Sequence, residues 1–170
     1  GLLNTFLRWL GIQGPLWLQS ETWAKPSLVI MSLWGVGGTT IIFLAALQGI
    51  PRELYEAAAL DGASPARRFF HITIPMISPA IFFSSIMGVI GSFQVFAQAF
   101  VMTGTSQSGS EGGPSNATLF LVLYLYKKAF QEFRMGYASA LAWVLFFIIL
   151  VFTVLQTQLS RNRVYYEAGE

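Results

Sequence analysis

The stretch ELYEAAALDGASPARRFFHITIP, residues 53–75, separates two long apolar runs and is rich in charged side chains. Pro51, just before it, suits the first position of a helix because proline has no amide hydrogen to leave unpaired there. Gly62 is a typical helix stop, and Ser64 followed by Pro65 repeats the start signal with a hydroxyl cap. The sequence therefore predicts two short helices joined by a glycine turn.

The composition is that of a membrane protein. Of 170 residues, 54% are hydrophobic and 11% are charged, far from the averages of soluble domains. The net charge of +2 is too small, and the basic residues are too scattered, to indicate a nucleic-acid surface. The chain has no cysteine, which excludes disulfides and thiol chemistry.

Three uncharged runs, 27–48, 76–101 and 136–159, are each long enough to cross about 30 Å of hydrocarbon as a helix. A fourth apolar patch, 117–126, is too short to cross, and we expect it to lie at the membrane surface as a short interfacial helix. The chain opens at Gly1 without methionine or a signal-like segment, and we expect it to be the C-terminal part of a longer protein.

These runs divide the chain into alternating segments. Two crossings after the loop 49–75 return the C-terminus to the side of that loop, whereas 1–26 and 102–135 share the other side, with a Gly/Ser-rich connector at 104–115. Each side carries five basic residues, but those on the side of 1–26 and 102–135 are spread over longer segments. The positive-inside rule therefore favours a cytoplasmic loop by only a small margin. The two sets are Arg52, Arg67, Arg68, Arg161 and Arg163, and Arg8, Lys25, Lys127, Lys128 and Arg134.

Local physics leaves two interpretations of the loop 49–75. It is either an amphipathic hairpin that only connects two spans, or a rigid protrusion that docks on another protein. A helix with an alanine face, here at 57–59, approaches another backbone closely. Glu53 and Glu56 add a charged contact near its positive end.

The residues Glu56-Ala57-Ala58, Gly62, Ile72 and Ile74-Pro75 resemble the EAA signature of binding-protein-dependent ABC importer permeases, EAA-x3-G-x9-I-x-L-P. The one departure is Ile74, where leucine is usual. The resemblance covers nearly the whole chain and includes LAALQGIPRELYEAAALDGAS and PSNATLFLVLYLYKKAFQEFRMGYASALA, which are similar to the carbohydrate branch. GSFQVFAQAFVMTG is similar to the maltose-F-like or glycerol-phosphate-A-like subunit.

The resemblance implies an all-α type I ABC importer transmembrane fold, with three transmembrane helices and a cytoplasmic two-helix coupling loop. It implies multi-pass insertion in the cytoplasmic (inner) membrane, with the loop and C-terminus cytoplasmic. The implied partners are a second permease subunit, two copies of an ABC ATPase and an extracytoplasmic solute-binding protein. ATP and Mg²⁺ would be held by the ATPase, with no cofactor on this chain. The implied coupling residues are Glu56, Ala57, Ala58, Asp61 and Gly62, with Arg52 as a neighbour.

The second run supplies candidates for the solute pathway. Amides bond sugar hydroxyls and aromatic rings stack on apolar sugar faces, so we expect Ser85, Ser92, Phe93, Gln94 and Gln98 to line it. The alternative for the serines and glycines is ordinary helix packing. Where the subgroup leads us to expect an acidic residue after QVF the chain has Ala97, so no substrate role is transferred from that position.

The spans contain no Asp, Glu, Lys, Arg or His, which argues against a carrier powered by its own proton or ion relay. His71 is the single histidine and has no cluster of ligands around it in the sequence, and no nucleophile–base pair or phosphate-binding loop occurs. These absences argue against an enzyme on this chain. The resemblance implies instead a permease subunit that moves a sugar, polyol or sugar phosphate by alternating access. The competing hypothesis is a passive membrane scaffold or channel subunit.

Overall fold

A computed structural model describes residues 1–104 and 112–160, and the regular structure in these residues is helical. Short wide turns of π-helix connect some of the α-helices, and tighter 3-10 turns connect others. The α-helices are α1 (Leu2–Trp9), α2 (Glu21–Ser32), α3 (Val36–Gln48), α4 (Arg52–Leu60), α5 (Pro65–Arg68), α6 (Ile74–Met76), α7 (Ser78–Phe93), α8 (Ala97–Gly104), α9 (Leu121–Tyr126) and α10 (Met135–Ser160). The 3-10 turns are Leu33–Gly35 and Pro114–Asn116, and the π-helical stretches are Phe69–Thr73 and Lys127–Gln131.

Within residues 1–104 and 112–160, three helical stretches are long and apolar enough to cross a membrane: Glu21–Gln48, Ser78–Thr103 and Met135–Ser160. They overlap the predicted runs 27–48, 76–101 and 136–159, with shifted ends. The first starts earlier than predicted because α2 extends back to Glu21 and includes Lys25 and Pro26. Pro26 lies inside the helix, where it has no amide hydrogen to donate to the Thr22 carbonyl.

The sequence had led us to expect one continuous helix in the second stretch, but the structure shows a break in it. α7 ends at Phe93 and α8 begins at Ala97, so residues 94–96 are not helical. Gly91 weakens the helix just before the break, at a cost of about 1 kcal/mol relative to alanine. Phe96 packs against a buried cluster, so tertiary contacts decide the conformation there.

Contacts within the chain define two compact units. The first consists of Gly1–Trp34 and Ser92–Phe147, and its core is formed by Leu28, Ala99 and Leu123. Leu123 of α9 is 0% exposed. The predicted short helix therefore exists, but it also supplies the centre of a core, which the sequence did not reveal.

The end of α9 carries a charge pair. Lys128 Nζ donates to both carboxylate oxygens of Glu132 at 2.7 Å and lies 5.2 Å from the ring centre of Tyr124. The hydrogen bond lowers the pKa of Glu132 and raises the pKa of Lys128. Such a pair would be costly in hydrocarbon, which supports the expectation that this segment does not cross.

The second unit consists of Gly35–Gly91 and the part of α10 from Ile148 onward. It contains α4, α5 and α6 and so holds the whole predicted coupling loop. Residues 105–111 of the predicted connector, and the tail with Arg161 and Arg163, lie outside the described residues.

Candidate functional site: the coupling loop

The helix α4 displays the EAA residues. Pro51 lies directly before Arg52, in extended conformation at the N-cap position (φ −60°, ψ 132°), one residue earlier than predicted. Its place there is favourable because it restricts the chain without requiring an amide partner. Glu53 lies in the first turn, near the positive end of the helix dipole.

The end of α4 has a Schellman geometry around Gly62. The Ala63 amide donates to the Ala58 carbonyl at 2.9 Å, and the Gly62 amide donates to the Ala59 carbonyl at 3.0 Å. Gly62 has φ +73°, a conformation that glycine adopts without the cost that a Cβ imposes. The predicted helix stop is therefore present, and its hydrogen bonds satisfy carbonyls that the helix end would leave free.

The second helix starts where the sequence predicted. Ser64 is extended and its Oγ accepts a hydrogen bond of 3.4 Å from the Arg67 amide, with Pro65 in the first turn. The helix continues through the π-helical stretch Phe69–Thr73 into α6, which contains Pro75. The wide turn lies just before Pro75, whose missing amide hydrogen a regular α-helix would need.

A hydrogen bond between α4 and the π-helical stretch was missed by the sequence reasoning. The hydroxyls of Tyr55 and Thr73 lie 2.8 Å apart, and Thr73 is only 7% exposed. Tyr55 lies three residues before Ala58, which puts both on one face of α4, and both are half-buried. The signal that could have identified this bond is Tyr55 itself, the single aromatic residue of α4.

The predicted coupling residues lie mostly on the opposite, open side. Glu56, Ala57, Asp61 and Gly62 are exposed, whereas Ala58 is half-buried beside Tyr55's face. Their roles in coupling stay a prediction.

Apolar side chains accompany these coupling residues. Leu60 is 91% exposed and Phe70 is 62% exposed. A loop that faced only water would not display such large apolar groups next to carboxylates without cost. The surface thus combines charge, small residues and exposed apolar side chains, a composition suited to a protein contact.

Of the predicted pathway residues, Ser85 is engaged in helix packing. Its Oγ donates to the Phe82 carbonyl at 2.8 Å and accepts a hydrogen bond of 2.6 Å from Nε2 of Gln156 in α10. This arrangement agrees with the alternative of polar contacts between helices, considered above for the serines.

The other four predicted pathway residues lie at or beside the break between α7 and α8. Ser92 and Phe93 end α7, Gln94 occupies the break, and Gln98 is the second residue of α8. Gln94 and Gln98 are exposed and Phe93 is half-buried. Two glutamine amides and an aromatic ring thus lie within residues 93–98, around the break in the second span.

Two further phenylalanines of this span contribute to packing. Phe96 and Phe100 stack on each other with ring centres 5.4 Å apart, and Tyr126 lies 5.1 Å from Phe96 and 5.3 Å from Phe100. These rings link α8 to α9.

The single histidine, His71, has Nδ1 3.1 Å from the Arg67 carbonyl, and within residues 1–104 and 112–160 no group of three His, Asp or Glu could hold a metal ion.

Residues 2–165 match the family described as the binding-protein-dependent transport system inner membrane component. The chain belongs to this family. The resemblance carried by the EAA residues is thereby confirmed.

Curated relatives are permeases of ABC transporters. A probable ABC transporter permease of Bacillus subtilis, YesP, is 42% identical across 100% of this chain and 54% of its own length. The arabinooligosaccharides permease AraP of Halalkalibacterium halodurans is 36% identical across 92% of this chain and 48% of its own. The lactose permease LacF of Rhizobium radiobacter is 39% identical across 96% of this chain and 54% of its own length. The chain thus spans about half the length of the curated relatives it matches.

A solved structure shares the fold. The crystal structure of a bacterial ABC transporter that imports the acidic polysaccharide alginate contains a chain that is 25% identical and superposes with a TM-score of 0.79. The match covers 95% of this chain and 55% of that one. The all-α permease fold with three membrane-crossing stretches is therefore confirmed.

Proposed function

We propose that this chain is the coupling half of a permease subunit in an ATP-driven importer. It carries the loop through which a cytoplasmic ATPase drives alternating access, and part of the pathway along which the solute passes. The observation that carries the proposal is the display of Glu56, Ala57 and Gly62 on a rigid, capped helical element between two membrane-crossing stretches.

Rigidity supports this role. The Schellman hydrogen bonds at Gly62 and the Ser64 cap close the turn between α4 and α5 without a flexible loop. A disordered connector would absorb a push in its own conformational entropy, whereas a capped helix transmits it.

The proposal includes the rest of the transporter. Two copies of a cytoplasmic ABC ATPase bind ATP and Mg²⁺, a second permease subunit completes the pathway, and an extracytoplasmic solute-binding protein delivers the solute. In this arrangement the loop 49–75 and the C-terminus face the cytoplasm, and the chain is embedded in the cytoplasmic membrane.

The proposed solute is an oligosaccharide or a related sugar compound, such as a polyol or sugar phosphate. Relatives named for arabinooligosaccharides and lactose support this class. Gln94, Gln98 and Phe93 at the helix break offer amides for hydroxyls and a ring for an apolar sugar face. Ser85 and Ser92 are the remaining candidates, and the hydrogen bond from Gln156 favours packing as the role of Ser85.

A passive scaffold or channel is less well supported. It offers no reason for the exposed acidic and alanine-rich face of α4, whereas an ATPase contact requires such a face. Relatives are transport permeases rather than channels by their descriptions.

Charge reversal at Glu56 tests the proposal. The intact transporter, with its ATPase and binding protein, is reconstituted in proteoliposomes, and ATP hydrolysis and uptake of labelled oligosaccharide are measured together. Glu56→Lys is expected to lower uptake roughly 10- to 100-fold, the range set by loss of one charged hydrogen bond, while membrane insertion is retained.

Glu53→Lys is the matched control, because it makes the same change one turn earlier on α4. It is expected to change uptake much less. Uptake and solute-stimulated hydrolysis that remain normal in Glu56→Lys would contradict the proposal, and a conducting pore formed by the permease alone would favour the channel.

A further inference from the structure

We propose that Tyr55 is a positioning residue for energy coupling, and that its hydrogen bond to Thr73 carries the movement of α4 directly to the helix that leads into the second membrane-crossing stretch. This inference rests on the proposed function. It adds a second mechanical link, separate from the chain connection at Gly62.

The chain connection between α4 and α5 is a single joint at Gly62. Its φ of +73° is held by the hydrogen bonds of the turn, all of which lie at this one point of the chain. A second contact away from the turn fixes the angle between the two helices under load, beyond what the hydrogen bonds at the turn provide.

The Tyr55–Thr73 pair provides that contact. The two hydroxyls are 18 residues apart in sequence and 2.8 Å apart in space. The two helices meet at Gly62, and the hydrogen bond joins them again at Tyr55 and Thr73. α4, the helix from Pro65 to Thr73 and the Tyr55 side chain thus form the three sides of a triangle. A closed triangle keeps its angles, so α4 and this helix move as one body.

Thr73 lies where the movement must arrive. It is the last residue of the π-helical stretch Phe69–Thr73, and α6 begins at the next residue. The Ile77 amide donates to the Thr73 carbonyl at 3.0 Å, so the backbone of Thr73 is tied to the residue before α7. Single π-helical turns within helices are frequent at functional sites.

Open space adjoins the Tyr55–Thr73 pair. A cavity of about 310 Å³ is lined by Tyr55, Pro65, Arg68, Phe69 and Thr73. The tyrosine ring therefore has free volume on one side, and the hydroxyl contact ties it to Thr73. Removing one oxygen atom should release the link while the fold is kept.

The test uses the complete transporter with its ATPase and binding protein in proteoliposomes. The measured quantity is the number of ATP molecules hydrolysed per solute molecule taken up. Tyr55→Phe and Thr73→Val are each expected to raise this ratio roughly fivefold, the scale set by one lost neutral hydrogen bond.

Three further variants separate coupling from general damage. Thr73→Ser keeps the hydroxyl and is expected to retain the wild-type ratio. The double variant Tyr55→Phe/Thr73→Val is expected to match the single variants, because both remove the same bond. Thr157→Val, which removes a hydroxyl that bonds only its own helix at the Thr153 carbonyl (2.8 Å), is the control and should leave the ratio unchanged.

Each outcome decides the matter. If the wild-type transporter couples hydrolysis to uptake and Tyr55→Phe keeps the same ratio, the inference is wrong and the proposed function stands. If the wild-type transporter shows no coupled uptake, the proposed function fails and the inference with it. Should Thr73→Val not assemble, Tyr55→Phe and Thr73→Ser suffice, since neither changes the size of the site appreciably.

Discussion

At the scale of single residues, Gly62 and Tyr55 divide one task between them. Gly62 allows the chain to reverse after α4 in a conformation that other residues rarely adopt, and its amide and that of Ala63 close the helix end. Tyr55 then restricts the freedom that the glycine introduces. A flexible residue and a cross-link beside it together produce a turn that is sharp and stiff.

Enlarging Gly62 is expected to open this turn. A Cβ there meets nothing within 4 Å, so the penalty is conformational, about 1–2 kcal/mol for an L-residue at positive φ. In Gly62→Ala the backbone amide hydrogen of the neighbouring Ala63 should exchange with solvent faster than in the wild type. Gly62→Val should in addition raise the number of ATP molecules hydrolysed per solute molecule taken up. Hydrogen exchange followed by mass spectrometry checks the first result.

Gly136→Ala is the matched control. Its Cβ also meets nothing within 4 Å, but Gly136 lies inside α10, where alanine is favoured over glycine by about 1 kcal/mol. It should leave exchange at the turn and the transport ratio unchanged. A wild-type exchange rate at Ala63 in Gly62→Ala would show that the left-handed turn does not depend on glycine.

At the scale of elements, the polar residues of the second membrane-crossing stretch fall into two groups with different tasks. Ser85 in α7 is bonded to Gln156 in α10, whereas Gln94 and Gln98 flank an interruption of the helix. Interhelical hydrogen bonds in membranes are modest, about 0.6 kcal/mol on average. Ser85 thus has a packing contact, whereas Gln94 and Gln98 are exposed and are the residues that the proposed pathway would offer to a solute.

A double-mutant cycle on this pair tests the division. Ser85→Ala and Gln156→Leu should show a coupling free energy of about 0.6 kcal/mol in the stability of the detergent-solubilised transporter, since each removes the same bond. Ser85→Ala should leave the KM for solute uptake unchanged. Gln94→Leu is the comparison variant and should raise that KM with little effect on stability. A raised KM in Ser85→Ala would instead place this serine in the pathway.

At the scale of the whole molecule, the proposed direction of transport depends on which side of the membrane the coupling loop faces. The loop lies between the first and second membrane-crossing stretches, and the charge pair Lys128–Glu132 lies between the second and third. One predicted crossing separates the two segments in the chain, so we expect them on opposite sides of the membrane.

Cysteine labelling tests this topology, because the chain has no cysteine of its own. In membranes that hold the permease with its other cysteines replaced and the ATPase stripped off, so that Leu60 is uncovered, Leu60→Cys should react with a membrane-impermeant maleimide only in inside-out vesicles. Phe133→Cys should react only in right-side-out vesicles. Both side chains are well exposed, Phe133 at 81%. Labelling of both from the same side would contradict the three-crossing arrangement.

Much of the fold followed from local chemistry. Uncharged runs long enough to cross hydrocarbon specify membrane helices. Pro51 and Gly62 mark the two ends of α4, and Ser64-Pro65 mark the start of α5, because each residue satisfies or avoids a particular backbone hydrogen bond. The spacing of the EAA residues identified the family from the sequence alone. These features depend on residues close together in the chain, and a sequence records them directly.

Only the tertiary structure decided the rest. The break at 94–96 and the buried position of Leu123 depend on contacts between residues that are distant in the chain. The same is true of the Tyr55–Thr73 and Ser85–Gln156 hydrogen bonds, which join helices that the sequence presents as separate. The sequence by itself thus determined which segments cross the membrane and where the coupling loop turns, since these are local properties. How the loop is braced, and which polar side chains stay available to a solute, was decided by packing, since a side chain's role depends on the partner that reaches it.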